Sequence, residues 1–523
     1  MLDGGFQICI ATIDVSVFFR RTVATPTGWT LGAGETWLAI CWKIKYPRRV
    51  TAVRLFSVAT TIMKHIHFLG ICGTAMGAVA SAMARRGYLV TGSDAKVYPP
   101  MSTFLEKEGI HIFQGYAASN IPAEADVIVI GNAMSRGNPE VEAVLERRLR
   151  YLSLPETMKE FFLHGKRNYV VSGTHGKTTT TSILAWLMED AGLDPSFMIG
   201  GIAKNLKRGG RFTESEFCVL EGDEYDTAFF DKRSKFLHYL PELVVINNIE
   251  FDHADIYGNV KEIELSFERL VKIVPRNGLV LANADDARCL KVVAGAPCPV
   301  KTLGFAPEAD IRIEQVEYGT EGCAWTLDGQ RYELPMIGKF NVRNASMAIA
   351  AALFAGLQPE AIAASLTKFE GVARRQELRG IERGVAVIDD FAHHPTAIGQ
   401  AVEGLRQRYP LSRVWAVFEP RSNTTRRNVF QKELAESLVT ADFPVVASVE
   451  NPEKVESGER LDIDLLAREV AARGKTIFHG ETVDDIVRHI VERAEPGDVV
   501  LVMSNGGFGG IHDKLLEALR LSA

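Results

Sequence analysis

Eight short apolar runs, each passing at its carboxyl end into small or polar residues, govern what this 523-residue chain can become: HIHFLG, DVIVIGNA, NYVVSGT, FCVLEGDE, LVVINNIE, VAVIDDF, RVWAVFEP and DVVLVMSNGG. Rich in β-branched residues and bounded by turn formers, they read as buried strands. Helical stretches separate them, which is the pattern of parallel α/β units. In open parallel sheets ligands bind beyond the carboxyl ends of the strands. Polar residues gathered at so many of those ends predict an enzyme with several nucleotide-type sites.

Length adds a domain count. At roughly 100–200 residues per domain, the chain has room for about three. A net charge of −6, with no lysine- or arginine-rich run, leaves no electrostatic footprint for nucleic acid or an anionic membrane. The cysteines Cys9, Cys41, Cys72, Cys218, Cys289, Cys298 and Cys323 lack paired spacing, so no disulfide framework or zinc site is expected and a reducing cytoplasm fits. No window approaches the ~18 uninterrupted apolar residues of a membrane span. Residues 1–62 differ from the rest, with Trp29, Trp37, Trp42, Arg48 and Arg49, only three acids and no clean period. Met63 is the expected start of the fold, and the leading segment reads as an extension outside it, with a targeting peptide as the rival reading.

The most specific stretch is YVVSGTHGKTTTTS, Tyr169 to Ser182. After its strand, Gly173, Thr174, His175 and Gly176 form a loop whose backbone N–H groups can curl round phosphate oxygens, since glycine has no Cβ to block the approach. Lys177 would neutralise terminal phosphates, the Thr178 hydroxyl would meet Mg²⁺, and Thr179 continues into a helix with Ile183, Leu184, Leu187, Met188 and Ala191 on one face and Gly192 as its stop. The next strands end in Glu221, Asp223, Glu224 and Asp226, and in Asn248, Asp252 and His253. Oxygen donors with one imidazole suit Mg²⁺ held together with substrate phosphates, with Glu221 and His253 as the leading ligands.

A second strand, turn and helix lies at the amino end, with Gly70, Gly73, Thr74 and Gly77 followed by Ser93 and Asp94. Cys72 stands where a dinucleotide fingerprint has its second glycine. The reading is a diphosphate-binding turn for some nucleotide, with the acid toward a ribose or base; nicotinamide binding is the alternative.

GTHGKTTT, EGDEYD, NNIEFDH, GKFNVRNASMA, RRQE and IDDFAHHPTA together resemble, in order and approximate spacing, the Mur ligase family, which joins amino acids or peptides to UDP-N-acetylmuramate at the expense of ATP. GICGTAMG, GSDAKVYPPMST, FEPRSNT and MSNGGFGGIHDKL resemble the branch that couples the tripeptide L-alanyl-γ-D-glutamyl-meso-diaminopimelate to that sugar in peptidoglycan recycling. The resemblance implies an α/β protein of three domains: a Rossmann-like UDP-sugar domain at 63–165, a central phosphate-loop ATPase domain at 166–372, and a Rossmann-like domain for the amine at 373–523. It also implies ATP and Mg²⁺, a cytoplasmic setting, and a monomer or weak oligomer.

Carried over by motif, Lys177 and Thr178 resemble the ATP and Mg²⁺ residues, Glu221 and His253 the metal ligands, and Asn341 and Asn344 the adenine-recognition amides. Arg375 and Asp390 resemble residues that meet the nucleotide from the hinge and third domain, while Phe340 stands where many relatives have histidine. Some members bridge metals with a carbamoylated lysine, yet residues 262–271 contain none, in keeping with the branch that acts on UDP-N-acetylmuramate itself. The implied chemistry is phosphorylation of the lactyl carboxylate, attack by the amine and loss of phosphate. His393 or His394 is a candidate proton acceptor; alternatively the pair orders an interdomain loop. Arg421 is the leading carboxylate-binding candidate for the peptide, with Ser422, Asn423, Ser504 and Asn505 on the same rim. A ligase for L-alanine alone, and a nucleotide-dependent oxidoreductase or regulatory nucleotide-binding protein, are the competing readings.

Overall fold

The computed structural model describes residues 65–522; the extension 1–62 and the start at Met63 lie outside the described residues. The eight apolar runs form the strands His65–Leu69, Val127–Ile130, Arg167–Ser172, Phe217–Gly222, Pro241–Ile246, Val385–Asp390, Val414–Phe418 and Val499–Met503. Nearly every residue in them is buried, which explains their unbroken apolar character. All eight have parallel partners.

They divide among three large sheets. The first runs His111–Gln114, Leu89–Asp94, His65–Leu69, Val127–Ile130, Tyr151–Ser153, a doubly wound order whose switch point falls beside the Gly70–Gly73 turn. The central sheet has ten strands. Its parallel middle places Arg167–Ser172 between Pro241–Ile246 and Phe217–Gly222. Thus the phosphate loop and both acidic strand ends emerge side by side. An antiparallel meander, Ile311–Tyr318, Cys323–Leu327 and Gln330–Leu334, closes one edge. The third sheet has six strands, with Val385–Asp390 beside Val499–Met503 and then Val414–Phe418. The fold is therefore α/β, as expected. Among the described residues no helix is long and apolar enough to cross a membrane.

The helix after the phosphate loop, Lys177–Asp190, departs from the one-faced pattern expected of it. Residues Thr178 to Ala185 are all buried, because Lys339–Phe354 packs over the side turned away from the sheet. Its threonines are interior and their hydroxyls find partners, Thr181 Oγ1 donating to the Lys177 carbonyl at 2.7 Å and Thr180 Oγ1 accepting from Asn247 at 3.0 Å.

Apolar packing joins two of the sheets and sets the third apart. One continuous core runs from Phe68, Val79 and Met83 through Phe162 and Met198 to Val170, Leu220 and Val244. At this junction the Phe162 and Phe212 ring centroids lie 4.2 Å apart, and the Arg86 guanidinium lies over the Phe162 ring at 4.4 Å. The third sheet has its own cores on its two faces, reached from the central region by Ile337. A polar hinge connects it to the rest: Gly371, Arg374 and Gln376 have φ values of +85°, +60° and +49°. Two side-chain-bearing residues in left-handed geometry are costly unless surrounding contacts hold them. Arg374 is held by hydrogen bonds to the carbonyls of Ser504 and Gly506, both 2.7 Å.

Calorimetry should therefore resolve two transitions, the first and central sheets melting together and the third separately. Phe162→Ala should cost about 3–5 kcal/mol in the joint transition alone; equal displacement of both would show a single cooperative unit.

Candidate active site

The phosphate loop is shaped by what its glycines touch. Gly176, at φ +80°, starts the helix, and a Cβ there would lie 2.3 Å from Asn344 Oδ1. Gly173, at φ +130°, would place one 3.0 Å from the Asn248 nitrogen. The loop is braced from the neighbouring strand end: Thr174 N–H donates to the Asn248 carbonyl at 3.0 Å, and His175 N–H to Asn248 Oδ1 at 2.7 Å. No side chain caps the first turn of the helix, which leaves its N–H groups facing a cavity of about 400 Å³. Thr174 through Thr179 line this cavity, together with Glu221, His253, Asn341, Asn344, Arg375, Asp390, His393 and His394. Gly173 supplies the adjoining turn.

Charge in the cavity floor is organised differently from the sequence expectation. Lys177 Nζ donates to Gly173 O at 2.7 Å and is paired with both oxygens of Glu224, at 3.0 and 2.8 Å. Glu224 also meets His253 Nε2 at 3.1 Å. Burial opposes the Lys177 charge, but Glu224 and Asp223 more than compensate, so its pKa lies above the ordinary value. Burial likewise opposes charge on His253, and Glu224 outweighs it, raising the imidazole to about 9. Glu221 stands apart: it accepts from Thr178 Oγ1 at 2.9 Å and Gly200 N at 2.6 Å, and burial raises its pKa. The expected ligand trio thus falls into two donor sets, Thr178 with Glu221 and His253 with Glu224 and Asp223. Asp226 instead pairs with Lys232, 2.6 Å away. Thr178 and Glu221 both offer oxygen, and among the described residues no cationic side chain is hydrogen-bonded to Glu221, so this pair fits Mg²⁺, whereas Glu224 and Asp223 are already paired with Lys177 and Lys235.

Glu224 is the main residue the sequence reading did not select. Its only signal was its place in EGDEYD, one acid among four. Glu250 is another: its Oε2 accepts from Thr396 Oγ1 at 2.6 Å and lies 3.5 Å from both His175 Nε2 and His394 Nδ1, joining the loop to the third sheet.

The remaining candidates take several kinds of place. Asn341 donates to the Ile337 carbonyl at 2.8 Å and accepts from Asn344 at 3.4 Å, so the two amides hold each other at the cavity wall. Arg375 donates to Thr178 Oγ1 at 3.3 Å and lies over the Phe391 ring. Asp390 receives the N–H groups of Gln376 and Ala392, at 2.8 and 2.7 Å, tying the hinge to the third sheet. Arg421, Ser422, Asn423 and Asn505 line a second cavity of about 330 Å³ that shares Asp252, His253 and His393 with the first. Arg421 is paired with Glu450 at 3.2 Å, and Asn423 bonds Asp255 at 2.7 Å. Asn505 Oδ1 is buried with no hydrogen-bond partner among the described residues. Ser504 is not on that rim; it is buried beneath it, its hydroxyl donating to Glu419.

In the first sheet the turn is smaller than expected. Gly70, at φ +82°, and Gly73 bend the chain into the helix Thr74–Arg85, while Asp94 accepts the Cys72 N–H at 2.9 Å and closes the turn from below. Ser93 points inward, fully buried and 3.3 Å from His67 Nε2. Gly77 serves packing: a Cβ there would lie 2.6 Å from Met101 Sδ. Both positions are interior, Ser93 on the buried part of its strand and Gly77 on the inner face of the helix.

A phosphate loop between two acidic strand ends, roofed by a hinged third sheet and opening through a shared wall onto a second cavity, defines a nucleotide-dependent enzyme acting between domains. Three family models match: "Mur ligase family, catalytic domain" at residues 65–166, "Mur ligase middle domain" at 171–352, and "Mur ligase, glutamate ligase domain" at 374–506. The chain is 43% identical to an Escherichia coli UDP-N-acetylmuramate–L-alanyl-γ-D-glutamyl-meso-2,6-diaminoheptandioate ligase over 88% of its own length and 99% of that protein's. It is 36% identical to a UDP-N-acetylmuramate–L-alanine ligase of Paenarthrobacter aurescens, over 87% and 97%. A solved murein peptide ligase from Psychrobacter arcticus superimposes with a TM-score of 0.65 at 36% identity, covering 87% of this chain and 99% of that one. The chain belongs to the Mur ligase family, whose members form amide bonds using ATP.

Gly176→Ala combines a strained φ with a clash against Asn344. ATP affinity, measured by calorimetric titration, should fall at least 100-fold without loss of the folded state; parental affinity would show that the loop relaxes round the methyl group.

Proposed function

We propose that this enzyme joins UDP-N-acetylmuramate to L-alanyl-γ-D-glutamyl-meso-diaminopimelate through an acyl phosphate, with release of ADP and phosphate, in peptidoglycan recycling. The observation that carries the reading is the pair of cavities with a common wall of Asp252, His253 and His393. It lets a carboxylate be phosphorylated on one side and meet a nitrogen nucleophile from the other. The printed name of the Escherichia coli relative supports the choice of substrates. We place the domain limits at 63–165, 166–372 and 373–523, a division supported by the three sheets and the left-handed residues at Gly371 to Gln376. The cysteines among the described residues are free, in keeping with a cytoplasmic setting, and we expect a monomer or weak oligomer.

A carboxylate is a poor electrophile, and transfer of the γ-phosphoryl group of ATP converts its oxygen into a leaving group. Loop N–H groups from Gly173 to Thr179 would hold the phosphates, and Lys177, exchanging Glu224 for phosphate oxygens, would balance charge on the moving group. Mg²⁺ would be held by Thr178 and Glu221, and by His253 once its Nε2 gave up its proton and its bond to Glu224, and would supply further positive charge to those oxygens. Asn341 and Asn344 would present amides to the adenine edge, and Arg375 and Asp390 would bring the third domain over the nucleotide. At the amino end, the turn of Gly70, Gly73 and Thr74 with Asp94 is our candidate for the UDP diphosphate. Peptide carboxylates would meet Arg421, with Asn423 and Asn505 beside it. The family assignment sets aside an oxidoreductase.

The Paenarthrobacter aurescens relative makes L-alanine alone the second reading. Steady-state phosphate release with tripeptide and with L-alanine in parallel separates them: the proposal expects turnover with tripeptide and little with free alanine, and the reverse result would overturn it. Arg421→Ala should raise the KM for tripeptide at least tenfold with little change in that for ATP; equal shifts in both would remove Arg421 from peptide recognition.

A further inference from the structure

Formation of the amide releases a proton from the attacking nitrogen, and only a group reaching both cavities can receive it. Asp252, His253 and His393 line both. His253 spends Nε2 on Glu224 at 3.1 Å. Asp252 uses Oδ1 to accept from its neighbour's N–H at 2.7 Å and from Thr424 Oγ1 at 2.8 Å, an arrangement that holds a carboxylate ionised and weakly basic. His393 is different. Its Nδ1 lies 3.0 Å from the Phe391 carbonyl, which can only accept, so Nδ1 carries the hydrogen and Nε2 keeps its lone pair.

His394 is excluded by its own contacts. Its Nδ1 accepts the Thr396 N–H at 3.3 Å, capping the helix Pro395–Arg408, and its Nε2 donates to the Phe251 carbonyl at 3.2 Å. Both nitrogens are committed, Nδ1 to the start of its own helix and Nε2 to the central region.

We infer that His393, through Nε2, is the proton acceptor for the attacking alanyl amine, and that its neighbour His394 is a structural clasp. The inference rests on the ligase reading above. In this step the nitrogen lone pair forms the C–N bond, its proton passes to His393 Nε2, the C–O bond to phosphate breaks, and phosphate leaves with the bonding pair. Imidazolium then returns its proton to solvent. The titratable and charged groups that act on His393 are Asp252, which favours its charged form, and His175 and Arg375, which oppose it. Burial, with His175 and Arg375, lowers its pKa below the ordinary imidazole value against the opposing pull of Asp252 and the Phe391 carbonyl, which favours the neutral ring at pH 7.

The test uses the full chain with ATP, Mg²⁺, UDP-N-acetylmuramate and tripeptide. His393→Gln should lower tripeptide coupling about 100-fold or more while acyl phosphate, trapped by borohydride as the alcohol, still forms at the parental rate. Imidazole added to His393→Ala should restore part of the coupling. The acid limb of kcat, set below pH 6.5 in the parent, should vanish in His393→Gln and persist in His394→Gln, whose defect should appear in thermal stability. Parental coupling by His393→Gln overturns the inference. So does an equal loss of trapping and coupling with no response to imidazole. A parent enzyme that yields no trapped alcohol would overturn the acyl-phosphate reading itself, and this inference with it.

Discussion

The buried pair of Lys177 and Glu224 is the interaction on which the site depends. A lysine inside a cavity floor is expensive unless an anion sits against it, and breaking such a pair leaves an uncompensated charge. Glu224 carries two cationic partners, Lys177 at 2.8 Å and His253 at 3.1 Å, and Asp223 lies within reach of the same group. This arrangement keeps an ionised lysine in the wall of the cavity that we propose receives the phosphates. It also ties the phosphate-loop helix to two neighbouring strand ends, so that loop, acids and imidazole move as one body.

Apolar packing and polar hinging divide the remaining work. A continuous core makes the first and central sheets a single body, whereas the third sheet keeps its own cores and meets that body through hydrogen bonds, ion pairs and a clasp. Polar contacts of this kind are exchangeable for water at modest cost, and a shared apolar core is not. The hinge at Gly371 to Gln376 is thus the natural place for the third sheet to move, and Arg374, Arg375, Gln376 and Asp390 are the residues that report its position to the nucleotide cavity.

Legibility in the sequence followed the physics of each feature. All eight buried strands were readable, because a strand covered on both faces must be apolar throughout. The phosphate loop was readable because only glycine tolerates the φ angles and close approaches at positions 173 and 176. Ser504 and Ser93 were misplaced for the opposite reason: at a strand end, which way a serine points depends on the pleat and on what lies below, here Glu419 and His67. The helix Lys177–Asp190 was read as one-faced, and the second helix that covers it, Lys339–Phe354, is remote in the chain.

By itself, then, the sequence determined the strands, the glycine turns and the chemistry available at each strand end, since these depend on local residue type and period. Tertiary structure decided the partners: Glu224 beside Lys177 and Glu221 beside Thr178, two donor sets where one was expected, and different hydrogen-bond partners for two adjacent histidines. Those outcomes turn on distances between segments remote in the chain, and no local pattern encodes which of four nearby acids, or which of two imidazoles, packing will bring to a given atom.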